Sequence, residues 1–239
     1  MGHCLFLRKG EVHTAPATYK ANFADNDWAT IIDACHKNKV PATWVVGNSK
    51  TMLINGTEYQ IDIIGKNHDD YADGSGKAPL TFQLHDCYGE PEAMNSTDTN
   101  DGGWMKCAMR QTHLPAILSQ MPVEVQNGIR EVNKLTSAGS QSSTINTTED
   151  KLFLLSEIEI FGSTSHSKSG EGTQYDYYKA GNSKVKNRNG SATAWWERSP
   201  YGSNSSFFAL SPTTATPPTS RRTVRGVAYP SPSASKGVA

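Results

Sequence analysis

Ala194-Trp195-Trp196-Glu197-Arg198-Ser199-Pro200 runs straight into Tyr201–Arg225, YGSNSSFFALSPTTATPPTSRRTVR. The first seven residues read as the firmest structured segment of the chain, and the next twenty-five have no regular period. That tail contains no Lys, Gln, Glu, Met or Trp, although these five types make up about a fifth of residues 1–200. A rigid lead-in before an irregular, aromatic-dotted stretch describes a scaffold that displays a surface. Display points to binding rather than catalysis.

Energetics support that reading. A domain of this size is stable by roughly 5–15 kcal/mol. A poor core substitution costs roughly 2–5 kcal/mol, and an exposed one stays within about half a kcal/mol. A stretch as irregular as 201–225 is therefore held by a few inward anchors, for which Phe208, Ala209, Leu210, Val224, Val227 and Ala228 are the natural candidates. Tyr201, Asn204, Phe207, Arg221, Arg222 and Arg225 are of the aromatic, amide and guanidinium types enriched at recognition surfaces. A disordered Ser/Thr/Pro tail is the alternative. Trp195 and Trp196, if on a strand, face opposite ways, one into the core and the other to a second layer or the floor of a binding surface. Packing for both is the plain reading, and Arg198 stacking on the outward ring is the alternative.

Working back from that segment, the chain reads as one α+β domain with irregular connections. Asp27 is placed to cap a short helix through Asp33 and Ala34, with Trp28, Ile31, Ile32 and Cys35 on one face. Ala42–Val46 reads as a strand ended by Gly47. Thr51–Ile54, the turn Asn55-Gly56 and Thr57–Gly65 read as a hairpin, because Asn-Gly supplies the positive φ angles of a type I′ turn. Residues 67–76 form an acidic, glycine-bearing loop, and Thr81–Leu84 returns as a strand. A helical pattern runs from Trp104 through Met109 and Arg110. Pro115 and Pro122 start two more helical pieces, the second with an apolar face of Val123, Val125, Ile129, Val132 and Leu135. Ser137–Thr148 reads as a loop. Lys151–Phe161 reads as a buried strand, or a short helix running into a strand, ended by Gly162. Ser163–Gly190 reads as a long polar excursion, a functional or an insert loop, with Tyr175, Tyr177 and Tyr178.

At 239 residues the chain can bury a substantial core, and 23 Lys and Arg balance 23 Asp and Glu. No basic stripe marks a nucleic-acid footprint. No apolar run approaches a membrane span or a signal peptide, so synthesis in the cytoplasm without an export signal is expected. Cys4, Cys35, Cys87 and Cys107 form no C-x-x-C pair. His85, Cys87, Cys107 and His113 are weighed as a metal set against buried free thiols or a Cys87–Cys107 disulfide. Asn67, Asp69, Asp70, Asp73 and Ser75 offer hard oxygen donors. They miss the EF-hand spacing, so calcium at Asp69, Asp70 and Asp73 is weighed against a solvated acidic loop. No hydrolase elbow, zinc-protease, nucleotide or dinucleotide motif is present, and Gly74-Ser-Gly76-Lys77 reads as a surface turn.

Several motifs together resemble a known group: Asn67–Lys77, Gly102-Gly-Trp104 with Met109-Arg110, Thr136–Gln141, Leu154–Gly162 and Trp195–Pro200. They are similar to a domain of uncharacterised bacterial and prophage proteins, often the variable proteins of diversity-generating retroelements, over about residues 27–228. The resemblance implies a C-type lectin fold, of the branch that includes formylglycine-generating enzymes and phage tropism determinants. In such systems a reverse transcriptase misreads template adenines, so Asn codons of the AAC type become any codon ending in C. None of those encodes Lys, Gln, Glu, Met or Trp.

Carried over by position, the resemblance implies a diversified ligand-binding surface within about 195–228. Its members are Tyr201, Gly202, Asn204, Ser206, Phe207, Ser211, Pro212, Thr214, Thr216, Pro218, Ser220, Arg221, Thr223 and Arg225. Trp195, Trp196, Arg198, Ala209 and Leu210 would be the invariant frame. After Ala228 the family's short apolar ending is replaced by Tyr229–Ala239. The enzyme branch uses a late cysteine pair, and no cysteine follows Cys107. The expectation is a non-enzymatic binding protein of a phage or prophage, on the virion tail, recognising a host-surface protein or glycan. Residues 1–25 would serve attachment to other tail proteins or oligomer contacts, with a homotrimer by analogy, and no nucleic acid or membrane insertion is expected. A metal-dependent enzyme on the same fold and a purely structural virion component are the rivals.

Overall fold

The computed structural model of the chain describes residues 18–89 and 92–204, with the backbone of 207–209. Over those residues the fold is mixed α and β, with four small antiparallel sheets and no barrel.

The first helix, α1 (Trp28–His36), forms where the sequence places it. Asp27 accepts from the Thr30 amide, and Trp28, Ile31, Ile32 and Cys35 are buried. Trp28 joins Phe23, Trp44 and Phe82 in a mostly edge-to-face aromatic cluster. Such pairs add roughly 0.5–1.5 kcal/mol beyond burial. Residues 42–46 are turns rather than the expected strand. Trp44 is fully buried there, and its indole donates to the Lys20 carbonyl. A strand would send alternate residues to opposite faces, whereas a turn lets this single large ring enter the core.

Strands β1 (Ser49–Ile54) and β2 (Thr57–Gly65) pair through Asn55 and Gly56, at φ 49° and 76°, as a type I′ turn requires. Strand β3 (Thr81–Leu84) adds on the far side of β2 and is buried throughout. Gly65 ends β2 where a Cβ would meet the Tyr175 ring at 2.9 Å, so the backbone must stay bare for that ring to pack.

The middle of the chain departs from the sequence reading. Short helix α2 (Gly103–Lys106) precedes a π turn (Met109–His113), α3 (Leu114–Leu118) and α4 (Val123–Gly128). The apolar face expected to continue α4 does not exist. Ile129 caps the helix, Val123 is 66% exposed, and Val132 and Leu135 belong to strand β4 (Val132–Ser137). In β4 the inward positions are Val132, Lys134 and Thr136, which leaves Leu135 42% exposed. The expected Ser/Thr loop supplies strand β5 (Ile145–Asp150), which pairs with β4 in register Val132↔Asp150. Its Thr-rich strand pairs by backbone hydrogen bonds, which apolar periodicity does not register.

Leu152–Leu155 then run buried without regular structure, and α5 (Glu157–Phe161) comes next, opened by a Ser156–Glu159 capping box and closed by Gly162 at φ 76°. The stretch thus ends in a helix and contains no strand. Of the two readings of the polar excursion 163–190, the insert fails. The excursion contributes buried Glu171, Tyr175, Tyr177 and Tyr178, helix α6 (Asp176–Lys179), strand β6 (Lys186–Arg188) and its connection to β7 (Ser191–Thr193). Strand β8 (Trp196–Pro200) pairs with β9 (Phe207–Ala209).

Candidate functional site

The site is built from β8 outward. Trp195 is fully buried with its indole donating to the Lys184 carbonyl. Trp196 is half-buried and donates to the Glu92 carbonyl. Arg198 does not stack on the outward ring, the alternative weighed from the sequence. It is fully buried and lies at the centre of a polar network.

Its guanidinium donates to the carbonyls of Leu135 (3.0 Å), Leu154 (2.9 Å) and Glu171 (2.8 Å). It also forms a two-pronged ion pair with Glu159. Glu159 takes Lys134 on its other side at 2.6 Å. Lys134 reaches Asp69 at 2.8 Å, and the Tyr175 and Thr81 hydroxyls donate to that same carboxylate. Burial alone would raise the Asp69 carboxyl, but Lys134, with His68 and Thr81, outweighs it and holds it below the usual range. At Glu159 burial is likewise outweighed, first by Arg198 and then by Lys134. Burial, then Asp69, pushes the Tyr175 phenol well up. Satisfied donors and acceptors on every side make this network rigid, and losing one member strands a buried charge. Six segments meet in it: the acidic loop, β3, β4, α5 with the run before it, the lead-in to α6, and β8.

After Pro200 the chain surfaces, and three loops hold it. Gly202 donates its amide to the His166 carbonyl at 2.7 Å. The Tyr201 hydroxyl shares a 2.9 Å hydrogen bond with His166 Nδ1, and the two rings lie 5.3 Å apart. The His166 loop hangs on the buried Glu157 carboxylate, which accepts the amides of Ser165, His166 and Ser167 and the Ser167 hydroxyl. Asn100, fully buried, donates to the Asn204 carbonyl and accepts the Ser140 amide, both at 3.0 Å. Gly139, at φ 75°, has no room for a Cβ, which would stand 1.8 Å from the Asn100 carbonyl oxygen.

Of the residues implied as a diversified surface, Tyr201, Gly202 and Asn204 are thus half-buried and tied to the frame. Phe207 is placed by its backbone, opposite Pro200. Ser206, Ser211, Pro212, Thr214, Thr216, Pro218, Ser220, Arg221, Thr223 and Arg225 lie outside the described residues, as do the side chains of the expected anchors Phe208 and Ala209, together with Leu210. Sequence reasoning missed Asn100, Glu157 and His166. Their roles depend on which loops meet, and nothing in their local sequence announces it.

The weighed metal sets do not assemble. Asp69 turns inward to Lys134, so that part of the loop is not solvated, while Asp70 pairs with Lys77 at 2.8 Å and Asp73 with Arg130. His85 bonds the buried Asp62 at 2.7 Å and His113 faces Glu92. Cys87 and Cys107 are buried free thiols rather than a disulfide, pushed by burial up to about 12 and about 11. Among the described residues no three His, Cys, Asp or Glu side chains converge as a metal cage, and no helix is long and apolar enough to cross a membrane.

Residues 80–219 match a protein-family model described as a domain of unknown function, DUF6273. No curated protein and no solved structure matches the chain. The matched span opens at the start of β3 and extends past β8, so it contains Lys134, Glu159, Arg198 and the three loops that hold residues 201–204.

Proposed function

The chain belongs to the DUF6273 family, whose function is unknown, and from that premise we propose that it is a ligand-binding protein of a phage or prophage. It displays a hypervariable surface, beginning near Tyr201, on a scaffold of the C-type lectin kind. The ligand is a host-surface protein or glycan met from the virion tail.

One observation carries this reading: the change in the chain's surroundings at Pro200. Residues 197–200 are buried and Arg198 is held by three carbonyls and a carboxylate, while 201–204 are tethered by their backbone and by Tyr201 to loops at the surface. A display strand needs that discontinuity. Its root must survive any change in the side chains beyond it, and carbonyl-to-amide tethers such as Asn100 to Asn204 do not depend on the side chain carried there. The absence of Lys, Gln, Glu, Met and Trp from 201–225 agrees with adenine-directed diversification of Asn codons. A patch of a dozen residues buries on the order of 800 Å² per partner, enough for specific binding that several copies on one particle strengthen.

The test replaces residues 211–223 by a Gly/Ser segment of equal length, keeping β9 and the expected anchors Phe208, Ala209, Leu210 and Val224. Host adsorption of the particle, or binding to host envelopes, is expected to be lost while the melting temperature barely moves. Unchanged adsorption would remove the binding function from this surface. Genes from sibling isolates should differ mainly after Pro200, and differences spread evenly along the chain would count against diversification.

A further inference from the structure

Glu197 has no place in the network around its neighbour. It is fully buried in β8, and neither of its carboxylate oxygens has a hydrogen-bond partner among the described residues. An unpartnered buried carboxylate is among the most unfavourable groups a fold can hold, and it normally stays protonated instead.

The surroundings make ionisation harder still. From α5, Glu157 bears on Glu197, and from the segment before α6, Glu171 does the same. Tyr178 of α6 is a further neighbour, itself donating to Gln83. On its own strand Arg198 is the nearest cation, but its guanidinium is committed to Glu159 and three carbonyls. Lys134 of β4 is taken by Asp69 and Glu159, and Lys106 of α2 is exposed, with its stem over Gly102. The side chains of β9 lie outside the described residues. Five buried acids (Asp69, Glu157, Glu159, Glu171 and Glu197) thus face two buried cations, Lys134 and Arg198. Glu171 keeps one oxygen on the Ser137 amide and the Thr136 hydroxyl. Glu197 has no such help, so it is the acid that stays neutral first. Burial, then Glu157 and Glu171, pushes its carboxyl well above the usual range.

We propose that Glu197 is a proton-operated latch on β8: neutral, it is accommodated against α5, and on losing its proton it forces β8 away and loosens the exit at Tyr201. Two links connect it to that exit. The Glu157 amide donates to the Ser199 hydroxyl oxygen two residues along β8, and the Glu157 carboxylate suspends the loop that holds Tyr201 and Gly202. Repulsion between Glu197 and Glu157 therefore acts on the strand and on its tether together. The consequence, a display surface firm in mild acid and looser in alkali, rests on the binding function proposed above. The latch itself does not.

The experiment uses the full chain and no ligand, so its failure leaves the binding function standing. Amide exchange over residues 196–204, corrected for chemical exchange, and thermal unfolding are followed from about pH 5 to about pH 9. Wild-type exchange in that segment is expected to quicken at least about tenfold across the range, while Glu197→Gln stays flat and melts higher than wild type at the alkaline end. An infrared band of a protonated carboxyl should persist at neutral pH and vanish in Glu197→Gln. If that variant does not fold, Glu197→Met keeps the volume without the proton and should show the same flat profile. Parallel pH profiles in wild type and variant would overturn the latch. So would a melting temperature that calcium raises in wild type alone, which would make Glu197 a cation ligand.

Discussion

The side-chain amide of Asn100 donates to the main-chain carbonyl of Asn204, 3.0 Å away and 104 positions later in the chain. Because the acceptor is a carbonyl, the bond survives any replacement of the Asn204 side chain. Asn100→Ala should cost about 1–3 kcal/mol, the penalty for stranding a buried donor or acceptor. Amide exchange should quicken at 139–141 and 201–204 and remain slow in α1 and β2. Uniform acceleration across the chain would mean that Asn100 supports the whole fold rather than the exit of the tail.

Arg198→Met should cost about 3–5 kcal/mol in urea unfolding, because Glu159 then loses one of the two cations paired with it and three carbonyls lose a donor. Adding Glu159→Gln should recover part of that loss, so the double variant falls short of the sum of the single ones. Strict additivity would show that the pair is not coupled.

The acid limb of stability should come from Asp69 and Glu159. Their carboxyls sit below the ordinary range in the folded protein, so they bind fewer protons folded than unfolded. Their contribution is complete above the ordinary carboxylate range and is lost as pH falls through their lowered values. Asp69→Asn should be less stable than wild type near neutrality and show a shallower decline of melting temperature in acid. An equally steep decline would place the acid sensitivity elsewhere.

Lys186 is the converse case. It is buried, donates to the Leu84 carbonyl alone among the described residues, and is pushed down to about 8 by desolvation despite Asp62 and Asp86. Folded, it binds fewer protons than unfolded between that value and the ordinary lysine range, so stability should rise with pH across that window. Lys186→Met should unfold at higher urea concentration at neutral pH and lose the alkaline rise. A less stable variant would show that the ammonium is favourable where it sits.

Cys35, Cys87 and Cys107 are buried free thiols whose protonated form burial favours. A thiol reagent at neutral pH should label them only on the timescale of unfolding. Rapid labelling of Cys87 or Cys107 in the folded protein would contradict this packing.

Elements with local signals were legible. Asp27 before Trp28, Ile31 and Ile32 gives α1, and Asn55-Gly56 between apolar strands gives the β1–β2 turn. Gly162 stops α5 because only a left-handed residue can turn the chain there. Where the period was ambiguous, reading failed in a consistent direction. Val132 and Leu135 sit at helical spacing after Val125 and Ile129, yet they lie on a strand whose inward positions include Lys134. Hydrophobicity favoured Leu135, and the fold chose Lys134 because Asp69 and Glu159 were waiting for its charge. The polar stretch 163–190 read as a loop for the same reason, since its buried members are a glutamate, three tyrosines and Lys186, which find partners only in three dimensions.

Composition, spacing and turn chemistry by themselves determined a mixed α and β chain, a capped first helix, a tight hairpin, and a break in character at Pro200. They also separated β8 from the tail beyond it, because side-chain type changes there abruptly. Tertiary structure alone decided that Arg198 faces inward, that Asn100 and His166 hold the start of the tail, and that Glu197 is buried without a hydrogen-bond partner among the described residues. Backbone conformation is governed by residues close in sequence. The state of a buried charge depends on groups many tens of residues away, and only folding brings those together.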